Sequence, residues 1–306
     1  MPLLRANDIQ IRDPFVLPHA ADGFYYLYGT TDTNPWNSHP GVGFDTYRSH
    51  DLIHWEGPFP AFRPPADFWA PYEFWAPEVH AWRGRFYMFA TFASPTVHRG
   101  TQILVADHPL GPFRPHSAGP VTPADCECLD GTLHVAPDGR PWMIFSRDWP
   151  QVTVGRYSAV PLREDFSAAA GEAIEVFPVN AAPWVKTPPW QAERVKENLP
   201  PCYVADGAWP FRLRDGTLAL LFSSWTATGY ATGLARSPSG ALHGPWVFDE
   251  KPFFDTDGGH AMIFNGFDGV QYLTLHQPNS PAPEHPRFFP LEEAGGTLRL
   301  HPPLPS

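Results

Sequence analysis

The feature that most constrains this chain is a short pattern that occurs five times along its 306 residues. In each copy a turn that contains glycine is followed by a strand-like run of aromatic and aliphatic residues. The turn glycines are separated by 61, 55, 77 and 53 residues, and they are Gly23, Gly84, Gly139, Gly216 and Gly269. Five copies at this spacing fill the sequence, so the pattern describes the whole chain.

Further strand-like runs lie on both sides of each copy. A short apolar run precedes the glycine turn, and a third run with an edge segment follows, such as TQILVADHPLGPF after the second turn. Asp-Gly and Arg-Gly turns between such runs are hairpin signals. Three to four antiparallel strands repeated five times predict an all-β fold, a five-bladed β-propeller in which residues 1–306 form a single domain. The alternative is a β-sandwich or a pair of stacked β domains.

The composition favours many short strands over long helices. The chain holds 39 prolines and 25 glycines, and both residue types interrupt helices. Helix-forming stretches are scarce, and residues 192–198 are a candidate for a short one. The longest repeat spacing contains a segment rich in proline and tryptophan, at about residues 177–201. We expect this segment to be a surface loop that borders the functional site.

The net charge bears on the expected partners, and the first ten residues bear on the expected location of the protein. The formal net charge is −11 and the basic residues form no cluster, so neither nucleic acid nor an anionic membrane is an expected partner. No run reaches the roughly 18 apolar residues of a membrane-spanning helix. Residues 1–10 lack the basic and apolar regions of a signal peptide. We therefore expect a cytoplasmic protein whose three cysteines are reduced.

Acidic residues recur just before the first strand of the predicted blades. The innermost strand of each blade of a propeller lines the central channel, so residues at its start meet at one face. Four of the five positions carry a carboxyl group and the fifth an imidazole: Asp13, Glu78, Asp130, Asp206 and His260. Carboxylates at close range repel each other, which is costly in a purely structural role. Glycoside hydrolysis needs one carboxylic acid and one carboxylate, so these positions predict a glycosidase.

The motifs around these positions resemble glycoside hydrolase family 43, which contains α-L-arabinofuranosidases, arabinanases and β-xylosidases. They cover all five predicted blades in order: Arg12-Asp13-Pro14, Trp75-Ala76-Pro77-Glu78, Leu129-Asp130-Gly131-Thr132, Asp206-Gly207, and Gly258-Gly259-His260 with the downstream His276-Gln277-Pro278. The resemblance implies a five-bladed propeller that hydrolyses a glycosidic bond with inversion of configuration.

The resemblance also implies a role for each of three carboxyl groups. Asp13 would be the general base that activates water, Asp130 the modulator of the acid's pKa, and Asp206 the general acid. The acid of this family usually lies in a Glu-Gly-Pro motif, whereas this chain has aspartate at position 206 followed by glycine and alanine. Because aspartate is one methylene shorter, Glu193 or Glu197 in the preceding segment is the alternative proton donor.

Four further residues are expected to bind the substrate or to support the site. Trp75 would line the sugar pocket, and Arg287 would reach the pocket near the acid. Glu78 would either line the site or brace the channel. The resemblance places His260 in the central channel, where it would hold a water molecule or a structural calcium ion. No cofactor is required by the expected reaction.

Two other functions also fit the residues. A retaining β-fructosidase would use Asp13 as its nucleophile and Glu127-Cys128 as its acid region, with a shorter separation between its carboxyl groups. A carbohydrate-binding propeller without activity would account for the aspartate at position 206. The sequence does not decide among arabinofuranosides, xylosides and galactofuranosides. We expect exo action on an oligosaccharide or glycoside, and the sequence leaves the oligomeric state open.

Overall fold

The described residues form twenty β-strands, which group into five antiparallel sheets of four strands each. The structure, a computed structural model, describes residues 3–32, 35, 39–279 and 283–306. The sheets follow one another along the chain, and each sheet uses four consecutive strands. This arrangement confirms the predicted all-β, five-bladed propeller.

The five blades have the following strands. Blade 1 contains β1 (Arg12–His19), β2 (Phe24–Thr30), β3 (Phe44–Ser49) and β4 (Trp55–Phe62). Blade 2 contains β5 (Tyr72–Trp82), β6 (Arg85–Ala93), β7 (Gly100–Ala106) and β8 (Arg114–Pro120). Blade 3 contains β9 (Cys128–Val135), β10 (Pro141–Arg147), β11 (Arg156–Pro161) and β12 (Ile174–Pro178). Blade 4 contains β13 (Asp206–Arg212), β14 (Leu218–Trp225), β15 (Tyr230–Ser237) and β16 (Val247–Phe248). Blade 5 contains β17 (Gly259–Asn265), β18 (Gln271–Gln277), β19 (His285–Ala294) and β20 (Thr297–Leu300).

The hairpin between the first two strands of every blade turns on one of the repeated glycines. The φ angles of these five glycines lie between +73° and +89°, a region in which a side chain is strained. The turn therefore requires glycine at this position in each blade. This stereochemical requirement explains why the glycine spacing reports the blade spacing.

Helices are short in the part of the chain that the structure describes. They are α1 (Trp149–Val152), α2 (Ala192–Lys196) and three 3-10 turns at Ala6–Asp8, Val179–Ala181 and Pro189–Gln191. No described helix is long and apolar enough to cross a membrane. The segment between β12 and β13 is anchored to the core, because Trp184 is only 7% exposed and stacks on Phe222. The same segment carries Trp190, which is 50% exposed.

Apolar side chains fill the space between neighbouring blades. Phe89 of blade 2 and Phe145 of blade 3 belong to one buried cluster, and Leu221 of blade 4 and Leu273 of blade 5 belong to another. Each sheet therefore buries its faces against the sheets beside it. This interdependence is expected of stacked repeats that cannot form a core alone.

The ring closes without a strand shared between the first and last blades. Instead, residues at the start of β1 bond to the segment just before β19. The backbone N–H of Ile11 donates to the carbonyl of Glu284 (2.9 Å), and the Arg12 guanidinium forms a buried ion pair with the Glu284 carboxylate. Because Arg12 immediately precedes Asp13, ring closure also fixes the position of this carboxyl group.

Candidate active site

A cavity of about 530 Å³ opens at the face where the first strands of the blades begin. Its volume lies in the range of roughly 300–1,000 Å³ that is usual for small-molecule sites. Asp13, Asp130, Asp206 and Trp75 all line it. The structure therefore brings together the three carboxyl groups and the tryptophan that the sequence singles out.

A β-bulge at the start of each first strand brings the site residues to this face. The bulged residue has a φ between +45° and +56° in every blade: Asp13, Ala76, Asp130, Gly207 and His260. Asp206 lies one residue before this position and Glu78 lies two residues after it. The prediction that all five residues share one position before the first strand is therefore wrong for Asp206 and Glu78. The hydrophobic pattern locates a strand but not a bulge within it.

Hydrogen bonds between blades connect the bulges into a ring. At four of the five junctions the backbone N–H of the bulged residue donates to a side chain at the end of the second strand of the preceding blade. The pairs are Ala76 to Thr30 (2.8 Å), Asp130 to Thr91 (2.9 Å), His260 to Ser223 (2.8 Å) and Asp13 to His276 (3.2 Å). The ring ties the backbone of each site residue to its neighbouring blade.

The junction between blades 3 and 4 departs from this pattern. The Gly207 N–H donates to Oδ2 of Asp130 (3.1 Å) rather than to Ser146. The Oγ of Ser146, which occupies the equivalent place at the end of β10, is buried without a hydrogen-bond partner among the described residues. The diverted bond connects the Asp130 carboxyl group to the residue that follows Asp206, so the two acidic side chains are positioned together.

The Asp13 carboxylate is held on both of its oxygens. The Thr30 hydroxyl donates to Oδ2 (2.7 Å), and Nδ1 of His260 lies 3.1 Å from Oδ1 in an ion pair that lacks the alignment of a hydrogen bond. Burial by itself would raise the pKa of Asp13. The positive charges of His260 and Arg12 outweigh burial and hold this pKa well below its usual range, so Asp13 is ionised at neutral pH.

Two buried histidines flank Asp13 in different charge states. Burial disfavours the charged form of His260, but the Asp13 and Asp130 carboxylates outweigh it and raise the pKa of His260 to about 10. Burial and the charge of Arg12 lower the pKa of His276 to about 3. The bonds of His276 agree with a neutral ring, because its Nδ1 accepts from the Asp13 N–H and its Nε2 is left to donate to Asn279 Oδ1 (3.0 Å).

The second half of the site is a pair of neighbouring carboxyl groups, Asp130 and Asp206. Burial raises the pKa of Asp130 well above its usual range; the charge of His260 opposes this effect, and the charges of Asp206 and Asp13 add to it. The two carboxyl groups lie close together, with oxygen atoms within 4.8 Å of each other. Asp206 is partly exposed to the cavity whereas Asp130 is buried, and the Tyr230 hydroxyl donates to Oδ2 of Asp206 (2.6 Å).

The donor set at the expected channel site fits calcium poorly. Asp130, Asp206 and His260 have ligand atoms within 4.8 Å of one another. Calcium prefers six to eight oxygen ligands, whereas this group offers two carboxylates and a nitrogen. One oxygen of each carboxylate already accepts a hydrogen bond from Gly207 or Tyr230.

Three of the expected substrate-binding residues, Glu78, His260 and Arg287, are not among the described residues that line the cavity. His260 is buried beside Asp13. Glu78 is buried farther along β5, where its carboxylate lies 3.2 Å from Nε2 of His80, so it braces the channel. Arg287 lies on β19, the third strand of its blade, and donates to Oδ1 of Asn7 (2.9 Å). The expectation that Arg287 reaches the pocket is wrong because a third strand lies away from the channel.

Two of the alternative acids named from the sequence, Glu197 and Glu127, are not among the described residues that line the cavity. Glu197 is exposed to solvent, and the side chain of Glu193 lies outside the described residues. Glu127, the acid of the β-fructosidase alternative, bonds to Nδ1 of His98 (2.5 Å) and to the backbone N–H of Arg99 (2.7 Å). Of Asp206, Glu197 and Glu127, Asp206 is therefore the one that lines the cavity.

The structure adds a buried polar pair that the sequence patterns missed. Arg99 and Asp148 line the cavity and form an ion pair. Arg99 also donates from Nε to Glu73 (2.5 Å) and lies over the ring of Trp75, 4.7 Å from its centroid. Both residues lie in segments that connect strands, which differ from blade to blade. The carboxylate of Asp148 directly after β10 is the signal that could have indicated this pair.

Comparisons with known proteins agree with the fold and the site. The family described as Glycosyl hydrolases family 43 matches residues 8–293. An endo-arabinase from Bacteroides thetaiotaomicron VPI-5482 is 35% identical, with a TM-score of 0.87 over 97% of this chain and 99% of that chain. An endo-1,4-beta-xylanase from the same organism is 23% identical, with a TM-score of 0.75 over 97% and 96% of the two chains. An alpha-L-arabinofuranosidase from Lactobacillus brevis is 18% identical, with a TM-score of 0.70 over 95% of each chain.

The xylanase and the arabinofuranosidase are each less than 25% identical to this chain, so their similarity shows the fold alone. The comparison with curated protein sequences found no match. A five-bladed propeller whose cavity is lined by three carboxyl groups, those of Asp13, Asp130 and Asp206, has the groups that a glycosidase requires. The family match spans most of the chain, and the endo-arabinase is more than a third identical over nearly its full length. The chain belongs to glycosyl hydrolases family 43, and it is a glycosidase that acts on a carbohydrate substrate.

Proposed function

We propose that this enzyme hydrolyses α-L-arabinofuranosidic bonds between pentose units, with inversion at the anomeric carbon. The family and the 35% identical endo-arabinase support a pentose substrate. The observation that carries the mechanism is the convergence of Asp13, Asp130 and Asp206 on one cavity. The pKa of Asp13 is lowered and that of Asp130 is raised, which supports a base at Asp13 and a modulating role for Asp130 beside the acid.

Asp13 acts as the general base in this proposal. Its ionised carboxylate is fixed by Thr30 and His260, so it can orient a water molecule toward the anomeric carbon. Removal of a proton from that water as it attacks contributes typically 10²–10⁴-fold to the rate. Inversion requires enough room between the two catalytic carboxyl groups for this water.

Asp206 acts as the general acid and Asp130 as its modulator. Burial raises the pKa of Asp130 and so favours a proton at this end of the cavity. Asp206 has an oxygen within 4.8 Å of an Asp130 oxygen, and it is the member of the pair that is partly exposed to the cavity. We therefore assign to Asp206 the transfer of this proton to the glycosidic oxygen. Tyr230 and the neighbouring Gly207 hold the shorter aspartate in place, the former at its carboxylate and the latter through Asp130.

The dependence of the rate on the leaving group separates the acid from the base. We expect Asp13→Ala to lower kcat/KM by roughly 10²–10⁴-fold on both 4-nitrophenyl α-L-arabinofuranoside and α-1,5-arabinotriose. Asp206→Ala should lower it by a similar factor on arabinotriose but by less than about tenfold on the nitrophenyl substrate, since nitrophenolate leaves without protonation. Asp138→Asn, at an exposed hairpin turn, is the control. If Asp206→Ala lowered kcat/KM equally on both substrates, the result would contradict the assignment of Asp206 as the acid.

A panel of nitrophenyl glycosides tests the sugar specificity. Turnover of the α-L-arabinofuranoside above that of the β-D-xyloside and the β-D-galactofuranoside supports the proposal. Absence of turnover on all three, and on arabino- and xylo-oligosaccharides, would contradict it. Exo action is our first expectation, and endo cleavage is the second candidate because the 35% identical neighbour is an endo-arabinase. Release of arabinose alone from a linear arabinan indicates exo action, whereas early release of mixed oligosaccharides indicates endo cleavage.

A further inference from the structure

An aromatic wall runs from Asp206 to the mouth of the cavity. We define it as Trp149, Trp190, Trp225 and Tyr230, all of which line the cavity. The Tyr230 hydroxyl bonds to Asp206, and the ring of Trp225 lies 5.6 Å from that of Tyr230. Trp190 lies 6.4 Å from Trp225 and 5.5 Å from Trp149. Aromatic surface therefore extends without interruption from the proposed acid outward.

The exposure of Trp190 within this wall is unusual for its residue type. Its side chain is 50% exposed, whereas Trp184 of the same segment is 7% exposed and packs in the core. Large aromatic side chains contribute most to stability when they are buried, and exposed apolar surface beside a cavity marks a place where a ligand binds. Its apolar ring face suits the C–H face of a sugar.

The polar pair beside the wall determines the charge of the ligand that fits. Arg99 donates to Glu73 and pairs with Asp148, so its positive charge is compensated by two carboxylates. Arg12, the other arginine among the described lining residues, is paired with Glu284. Both arginines among the described lining residues are therefore compensated by carboxylates, and these charged pairs suit the hydroxyl groups of a neutral sugar.

We propose that the aromatic wall and the Arg99–Asp148 pair form the binding subsite for the leaving-group sugar of a neutral oligosaccharide. This inference rests on the proposed function, because Asp206 as the acid places the leaving oxygen at the inner end of the wall. The leaving sugar would stack on Trp190 and Trp149 and donate hydroxyl hydrogen bonds to Asp148. The segment between blades 3 and 4 would thus determine the preference for a sugar over a small alcohol as the leaving group.

Two substrates that need the same acid but differ in leaving-group size test this subsite. Methyl α-L-arabinofuranoside has a leaving group too small to reach the wall, whereas α-1,5-arabinotriose fills it. Both leaving groups are alkoxides that need protonation, so the contribution of Asp206 cancels in the ratio of their kcat/KM values. We expect Trp190→Ala and Asp148→Asn each to lower the triose-to-methyl ratio about tenfold. Phe267→Ala, an exposed aromatic outside the cavity lining (44% exposed), should leave the ratio unchanged.

Binding measured without turnover separates this proposal from the proposed function. In the Asp13→Asn protein, calorimetric titration with arabinotriose should show a Kd about tenfold weaker when Trp190→Ala is added. An unchanged ratio together with an unchanged Kd would overturn the subsite while leaving the hydrolytic proposal intact. Weaker binding in a protein that hydrolyses neither substrate would support the subsite and contradict the proposed reaction. A protein that neither binds nor hydrolyses arabinotriose would contradict both.

Discussion

The charge on His260 controls the pH range in which Asp13 is ionised, and His260→Asn tests this dependence. Asparagine is suitable because the φ of His260 is +54°, a region that asparagine tolerates. The His260 and Asp13 charges are 3.1 Å apart, which corresponds to about 5 kcal/mol at an effective dielectric constant of about 20. That energy equals roughly four pKa units. Because Arg12 remains and the new amide replaces part of the interaction, we expect a rise in the pKa of Asp13 of about one to three units.

A higher pKa of the base moves the acidic limb of the kcat/KM profile to higher pH. Because the wild-type limb lies at low pH, the profile is measured with 4-nitrophenyl α-L-arabinofuranoside in brief assays from about pH 1 to about pH 8, and return to neutral pH checks that the enzyme survives. His276→Asn is the matched control, because His276 also lies within 4 Å of Asp13 but has a pKa of about 3 and carries no charge to lose. The limb of this control should move by less than about half a unit. An unmoved limb in His260→Asn, or an equal shift in both variants, would refute the assigned charge states.

Two further predictions concern stability, measured by urea denaturation. Glu284→Ala leaves Arg12 buried without its partner, and it should lower the free energy of unfolding by about 3–5 kcal/mol; a loss below about 1 kcal/mol would show that Arg12 is otherwise compensated. Ser146→Ala removes a buried hydroxyl without a described partner and should change stability by less than about 0.5 kcal/mol. Ser223→Ala removes the acceptor of the His260 N–H and should cost about 1–2 kcal/mol. Equal losses of stability for the two serine variants would contradict the finding that Ser146 accepts no hydrogen bond from blade 4.

The blades could be predicted from the sequence because the same signal occurs five times. The hairpin turn requires glycine at a positive φ, and alternating strands flank each of these glycines. Any single copy is an ordinary hairpin, but five copies at similar spacing indicate a closed ring of sheets. The predicted helix at 192–198 is also present, as α2. The helix α1 was not predicted, since four residues provide too little periodicity.

The site could be predicted only in part. The repeat and the family motifs located Asp13, Asp130 and Asp206 because strand starts converge at one face. The bulges that offset Glu78 leave no mark in the hydrophobic pattern, and so the sequence could not decide whether Glu78 lines the site or braces the channel. Arg99 lies in a connection that does not repeat, and its role depends on partners distant in sequence. Such pairings follow from the three-dimensional path of the loops rather than from local spacing.

The stereochemistry of hydrolysis tests the central claim most directly. If Asp13 activates water while Asp206 protonates the leaving oxygen, a single displacement releases the sugar with inverted configuration. Proton NMR of the first product released from 4-nitrophenyl α-L-arabinofuranoside, recorded before the anomers interconvert, should show the β-anomer of arabinofuranose. Initial appearance of the α-anomer would mean a covalent intermediate on a carboxylate, and it would contradict Asp13 as a general base.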